Sequence, residues 1–412
     1  MSDEKSMMAT PRDKGNFRGL PRSIWALGFV SMLMDISSEM IHGLLPVFLV
    51  TVMGASTVTV GLIEGIGEAT ANITKLASGL ISDRWGRRKP LAALGYGLST
   101  LSKPLFALAP SAGIVLGARF ADRVGKGIRG APRDALVGEL APPGKRGAAF
   151  GLRQSLDSVG AFVGPLLAIA LMAVFSDQFR TVFWLAAIPG VLAVLLLVLV
   201  VREPARAPVA TPRPTPISLR NPGALGRHFW GVVALGGVMT LARFTEAFVI
   251  LRAENLGLAL ALAPLILVVV SLVYAASAYP VGILSDRIGR TGLLASGFLV
   301  LIAADAVLAL AGSLSAVFAG AALWGLHLGL TQGLLSALVA EHAPVDLKAT
   351  AFGVFNLVTG IALLLASLLA GALWQLFGPA ATFWTSGALA MAGLAGFLIV
   401  SRKRPAAPTP DP

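Results

Sequence analysis

From Ile24 to Val400 the chain repeats apolar runs of about 20 residues or more, separated by short polar connections. A bilayer core of roughly 30 Å accepts one helix of about 20 apolar residues, so each run predicts a membrane span. The runs fall at 24–52, 57–81, 90–109, 112–138, 148–175, 180–201, 228–253, 259–284, 291–312, 315–340, 350–376 and 380–400. The pattern predicts an all-α membrane protein of about twelve transmembrane helices with both termini on one side.

Composition narrows the function classes. With 56% hydrophobic and 13% charged residues, the chain is too apolar for a soluble enzyme. The net charge of +12 would suit nucleic acid in a soluble protein, but here the basic residues sit in connections between apolar runs, and no nucleic-acid partner is expected. The absence of cysteine rules out disulfides and thiolate metal sites. No G-x-x-x-x-G-K-[ST] signature occurs, which excludes ATP-driven transport on this chain, and no cofactor is expected.

Lys and Arg cluster in alternate connections: Arg84, Arg87, Arg88 and Lys89; Lys145 and Arg146; Arg202 to Arg227; Arg287 and Arg290; Lys348; and Arg402 to Arg404. The opposite connections, near Met53, Ser111, Asp177, Leu256, Ser313 and Gly378, are almost free of them. By the positive-inside rule the basic connections and both termini are cytoplasmic, as expected for a bacterial inner-membrane protein. The polar segment 1–23 reads as a cytoplasmic tail before a retained first helix, 401–412 as a second tail, and the proline-rich segment 202–227 as a linker between six-helix halves at 24–201 and 228–400.

The halves repeat each other. "GLISDRWGR" from Gly79 matches "GILSDRIGR" from Gly282, and "APPGKRGAAFG" from Ala141 matches "APVDLKATAFG" from Ala343, at an offset of about 202 residues. Two matches in order at one shift predict two pseudo-symmetric bundles that rock around a central cavity.

The loop "GLISDRWGRRKP" from Gly79 to Pro90, with its second-half copy, resembles the signature of the major facilitator superfamily, and the resemblance covers nearly the whole chain. It implies the twelve-helix fold of that family and secondary active transport. It also implies a cytoplasmic gate at Gly79, Asp83, Arg84, Gly86 and Arg87 and at Gly282, Asp286, Arg287, Gly289 and Arg290. A solvated basic loop that only sets topology is the plainer reading of the same residues. On the fifth span, Gly151, Gly160, Gly164 and Pro165 resemble the family's antiporter motif, although Ala168 and Ile169 replace its usual final glycine pair. Arg123-Val124-Gly125-Lys126-Gly127 is similar to an arginine motif that the family links to proton transfer.

The charges inside the spans carry the chemistry, because an unpaired ion in a bilayer is costly and tends to face a partner or an aqueous cavity. Asp35, Glu39 and His42 form one stripe on the first helix, and Glu64, Glu68, Asn72 and Lys75 another on the second. Arg119, Asp122, Arg123, Lys126 and Arg133 make a largely basic stripe on the fourth, joined by Arg153 and Asp157 on the fifth. Acidic helices facing a basic one predict buried pairs. These either bind and release protons as substrate moves, or satisfy each other permanently and fix helix register. In the second half the ionisable groups thin to Arg243, Glu246, Asp305 and His327, with Trp324, Gln332 and Asn356 as candidate cavity groups. His42 and His327 lack metal-ligand spacing, and no metal site is assigned.

The expected function is alternating-access transport of a small molecule by a functional monomer, as proton-coupled antiport exporting an organic compound. The alternative is transport of a metal ion, metalloid or siderophore-like chelate. A channel or non-transporting scaffold is the remote one, because it has no use for duplicated latch loops.

Overall fold

The computed structural model describes residues 19–85, 87–142, 145–203, 225–288, 290–344 and 347–402, without the side chains of 80, 83, 84, 286–288, 348, 349 and 400–402. Most of the two expected tails and of the linker therefore lies outside the described residues, as do Gly86 and Gly289.

Every described element is helical. In chain order they are α1 (Arg22–His42), the short α2 (Leu45–Val47) running into a wider π turn (Phe48–Val52), α3 (Thr57–Trp85), α4 (Arg88–Leu108), α5 (Ala112–Leu140), α6 (Arg146–Val174), α7 (Phe179–Leu185) and α8 (Ala187–Val200). After the linker come α9 (Gly226–Leu241), α10 (Ala247–Asn255), a single turn (Leu260–Leu262), α11 (Leu265–Ile288), α12 (Arg290–Leu310), α13 (Leu314–His342), α14 (Lys348–Phe377) and α15 (Pro379–Arg402). Among the described residues, 8 helical segments are long and apolar enough to cross a bilayer. Neither α3 nor α5 is among them, because Glu64, Glu68 and Lys75 interrupt one apolar run and Arg119, Asp122, Arg123 and Lys126 the other.

Three expected continuous helices are interrupted. The first breaks at Gly43 and Leu44, where Pro46 opens α2 and the end of α1 meets Pro264 so closely that a Cβ on Gly43 would lie 2.8 Å from it. The sixth breaks at Ala186, whose carbonyl accepts a 2.6 Å hydrogen bond from Ser37. The expected helix 228–253 divides into α9 and α10 at Ala242–Glu246, with no proline or glycine at the break. There Phe244 turns inward against Phe248, Trp324 and Phe383, with ring centroids 5.2 to 5.4 Å away.

Packing follows the apolar surface. Leu94, Leu101 and Leu108 leave one face of α4 outward, Leu101 with 71% of its area exposed, a surface suited to lipid. Inward, α1 packs on α6 and α8, α3 and α4 on α5, α11 and α12 on α13, and α12 on α15. Across the chain α3 lies along α14, α2 meets α10, and α6 meets α11 and the Leu260–Leu262 turn. Close approach rests on glycine: a Cβ on Gly61 would sit 2.1 Å from the Ser367 carbonyl oxygen, and Thr57 donates to the Gly371 carbonyl at 3.0 Å.

Arginines cap corresponding helix ends from non-corresponding places. Arg180 of α7 donates to the carbonyls of Ala107 and Ala109 at the end of α4, and Arg252 of α10 to those of Leu308 and Ala311 at the end of α12. The α4–α5 contact supplies a test. A Cβ on Gly125 would meet the Gly95 carbonyl oxygen at 2.6 Å, whereas one on Gly117 of the same helix meets nothing within 4 Å. Gly125→Ala is expected to cost about 1–3 kcal/mol through overpacking and lower the melting temperature in detergent, with Gly117→Ala close to the parent.

Candidate functional site

The charged stripes of α1, α3, α5 and α6 converge. Arg119 of α5 places Nη2 2.5 Å from Glu64 Oε2 of α3, both side chains fully buried. One turn on, Arg123 Nη1 is 3.0 Å from Glu68 Oε1. On the other face of α5, Asp122 accepts from Lys103 of α4 at 2.8 Å, and the Lys103 ammonium also donates to Ser38 of α1 at 3.1 Å. Arg129 donates to Ser99 at 2.6 Å and stacks over the Tyr96 ring at 5.1 Å. Toward the end of α5, Arg133 lies 3.9 Å from Asp157 of α6, which Arg153 holds at 2.6 Å. The expected pairing of acidic helices with a basic one is therefore present as direct contacts.

His42 bridges α1 and α3, with Nδ1 3.5 Å from Glu39 and Nε2 3.6 Å from Glu64. Its two ring nitrogens face opposite carboxylates, so these groups do not converge on one point, and among the described residues no set of three metal-ligating groups could hold an ion.

Two adjoining cavities lie beside this network. The smaller, about 280 Å³, is walled by Glu39, His42, Glu64, Glu68, Arg123 and Lys126 on one side and by Arg243, Phe244, Thr245, Glu246, Tyr274 and Gln332 on the other. The larger, about 750 Å³, takes Asp35, Lys75, Arg129, Arg133 and Asp157 with Leu272, Tyr274 and Ala275 of α11, and lies between α6 and α11. Glu39, Glu68, Lys126, Ser271 and Tyr274 line both. Asp35, Lys126, Arg243 and Glu246 reach these walls without a salt bridge among the described residues. The break between α9 and α10 turns Arg243 and Glu246 into the cavity, while Phe244, 4% exposed at the wall, packs mainly into the core.

Other expected groups lie elsewhere. Arg119, Asp122 and Arg153 stand behind the walls in their ion pairs. Trp324 is fully buried against Phe244 rather than in the cavity, His327 donates from Nδ1 to the Gly297 carbonyl at 2.8 Å, and Asp305 is buried between helices; Asn356 lines neither cavity. Gly160 and Gly164 seat α6 on α1, with Cβ positions 2.5 Å from the Met32 carbonyl oxygen and 2.8 Å from Glu39 Cβ, Pro165 stays inside an uninterrupted α6, and Gly151 contacts nothing within 4 Å.

In the gate loops, a Cβ on Gly79 would lie 3.5 Å from Ala131 Cβ of α5, one on Gly282 would meet nothing within 4 Å, and Arg87 is exposed. The side chains of Asp83, Arg84, Asp286 and Arg287, with Gly86 and Gly289, lie outside the described residues. An ion pair not anticipated from sequence joins the neighbouring helix ends: Arg88 at the start of α4 contacts Glu139 near the end of α5 at 3.2 Å. Arg290 and Glu341 repeat it between α12 and α13. Read in register, the two loop motifs set Arg87 against Arg290, so the repeat marks these helix ends as equivalent without giving the pairing.

The pattern of the Major Facilitator Superfamily matches residues 27–251 and 229–412, which takes in both halves and the cavity between them. The chain belongs to the major facilitator superfamily. It is 32% identical over 396 residues to an uncharacterized MFS-type transporter of Methanocaldococcus jannaschii, covering 94% of this chain and 97% of that one. Over 167 residues it is 29% identical to the multidrug resistance protein MdtH of Photorhabdus laumondii, 40% of this chain and 41% of that protein. A solved POT family transporter in complex with 5-aminolevulinic acid shares the fold at a TM-score of 0.79 with 14% identity, covering 94% of this chain and 98% of that one. This superfamily member is therefore a multi-pass membrane transporter of small molecules, not an enzyme.

The ion pairs behind the walls predict a stability signature. Lys103→Met leaves Asp122 with Arg123 Nε at 3.8 Å as its remaining cation. Loss of the buried partner costs about 3–5 kcal/mol, seen as a lower melting temperature. The double variant Lys103→Met with Asp122→Asn is expected to recover most of that loss, because it removes the orphaned charge with its partner.

Proposed function

We propose that this transporter works by alternating access as a proton-coupled antiporter that exports a small organic compound. The observation that carries the reading is a cavity between the two halves whose walls hold both carboxylates and cations without a salt-bridge partner, backed by fully paired ions. In this reading twelve spans form two six-helix pseudo-symmetric bundles, 24–201 and 228–400, joined by a cytoplasmic linker at 202–227. The protein is a functional monomer of the bacterial inner membrane with both termini cytoplasmic.

Glu64 and Glu68 already face Arg119 and Arg123 at 2.5 and 3.0 Å and Glu39 faces His42 at 3.5 Å, which leaves Asp35 the freest of the four carboxylates to take a proton. A proton from outside neutralises that carboxylate, removes its attraction for nearby Lys126, and biases the bundles toward the other state. An organic substrate fits the mixed wall, in which Tyr274, Phe244, Leu267 and Leu363 supply apolar surface beside the charges. The partial likeness to MdtH supports efflux, and the opposed nitrogens of His42 count against a metal ion. In the gate loops, Asp83, Arg84 and Arg87 with Asp286, Arg287 and Arg290 latch the cytoplasmic side, next to the Arg88–Glu139 and Arg290–Glu341 pairs.

The test is internal pH in proteoliposomes under an imposed gradient, with drugs, metal ions and chelates added one at a time. Proton movement with an organic compound supports the reading, whereas substrate flux indifferent to the gradient overturns the coupling. Asp35→Asn is expected to abolish substrate-driven proton movement while leaving insertion and melting temperature near the parent. Asp83→Asn is expected to keep insertion and slow turnover.

A further inference from the structure

Ser386 of α15 stands between two oxygens. Its Oγ lies 2.5 Å from the carbonyl oxygen of Ala242 and 2.6 Å from Oδ2 of Asp305 on α12. A serine hydroxyl carries a single proton and donates a single hydrogen bond. If it donates to Asp305, two oxygens face each other across the Ala242 contact with no proton between them. If it donates to Ala242, the proton in the second contact comes from Asp305. Only the second arrangement makes both contacts hydrogen bonds.

The surroundings of Asp305 agree. The residue is 0% exposed, and its Oδ1 has no hydrogen-bond partner among the described residues. Among the described side chains, no cation faces it from the elements packed on α12 or from the neighbouring break. Arg252 of α10 is engaged by the Leu308 and Ala311 carbonyls, and His327 of α13 by that of Gly297 about two turns away. Glu341 pairs with Arg290 at the far end of α12, α15 has no ionisable side chain among those described, and Arg243 lines the cavity. A charged carboxylate with one oxygen unpaired and no counter-ion is costly in such a place, whereas a neutral acid is not.

The Ala242 carbonyl has a reason to need this partner. In an unbroken helix it would accept from the N–H of Glu246, but the chain leaves the helix after Leu241 and no described backbone N–H reaches it. We propose that Asp305 is a neutral carboxylic acid whose proton orients Ser386 onto the Ala242 carbonyl, and that this α12–α15–α9 bridge holds open the break that turns Arg243 and Glu246 into the cavity. Asp305 is thus a positioning residue, which acts on the cavity wall through the break and touches neither cavity. Without the bridge, the Ala242 carbonyl regains a partner only if α9 and α10 join into one helix, which rotates Arg243 and Glu246 away from their places. The proton on Asp305 is structural and stays in place through the cycle, so the proposal stands independently of which group in the first half couples to protons.

The chain has no cysteine, so Glu246→Cys puts a single thiol in the break, and its labelling rate with N-ethylmaleimide reports the break's geometry. In that background Asp305→Asn, whose amide N–H donates where the acid O–H did, is expected to label within about twofold of the parent, because the hydrogen bond is kept. Ser386→Ala and Asp305→Ala are expected to change the rate by about fivefold or more, the scale of one net hydrogen bond. Infrared spectra of the full-length protein at neutral pH are expected to show a protonated-carboxyl C=O band that Asp305→Asn removes. Absence of that band, or an Asn variant that labels like the Ala variants, overturns the proposal. Should Asp305→Ala fail to fold, Ser386→Ala and Asp305→Asn carry the test.

Discussion

The Arg119–Glu64 pair, closed at 2.5 Å between fully buried side chains, shows the constraint on which the first half is built. An ion withdrawn from water must meet an opposite charge or a water-filled space, and α5 carries too many ions for either alone to suffice. Its charges divide. Those facing α3 and α4 close with Glu64, Glu68 and Lys103, which ties three helices into one register. Those beyond the pairs, above all Lys126, line the cavity. A helix too polar to qualify as a membrane span by composition is thereby kept in the bundle by its neighbours' charges.

The cavity exists because the halves meet unevenly. Along α3 and α14, glycines such as Gly61 and Gly371 bring backbones into contact, whereas α6 and α11 part around the larger cavity. Close contact on one side and space on the other follow from side-chain size, since small residues let the α3 and α14 backbones touch where longer side chains would hold them apart.

Duplication survives most clearly where it serves geometry. Arg88–Glu139 and Arg290–Glu341 join the same helix ends in both halves, and Arg180 and Arg252 cap equivalent ends while standing at non-equivalent positions. The membrane-embedded charges have diverged instead: the first half has a ladder of pairs, and the second supplies a helix break, an aromatic cluster around Phe244 and the Asp305–Ser386 bridge.

Apolar runs of membrane-spanning length, the repeat at about 202 residues and the stripes of charge on α1, α3 and α5 were legible in the chain alone, because bilayer thickness and helical period are written into local spacing. So was the pairing of acidic with basic helices, since an ion in lipid must find a counter-ion. Which partner each ion takes was not legible: Lys103 for Asp122, His42 between Glu39 and Glu64, and Arg88 rather than Arg87 for Glu139 depend on helix rotation and separation. The break at Ala242–Glu246 left no proline or glycine to read, and it moves Phe244 into the core and Arg243 toward the cavity. Only the tertiary structure decides such points, because spacing along one helix sets which residues share a face, while the neighbours packed against that face determine which charges stay paired and which are left for the substrate.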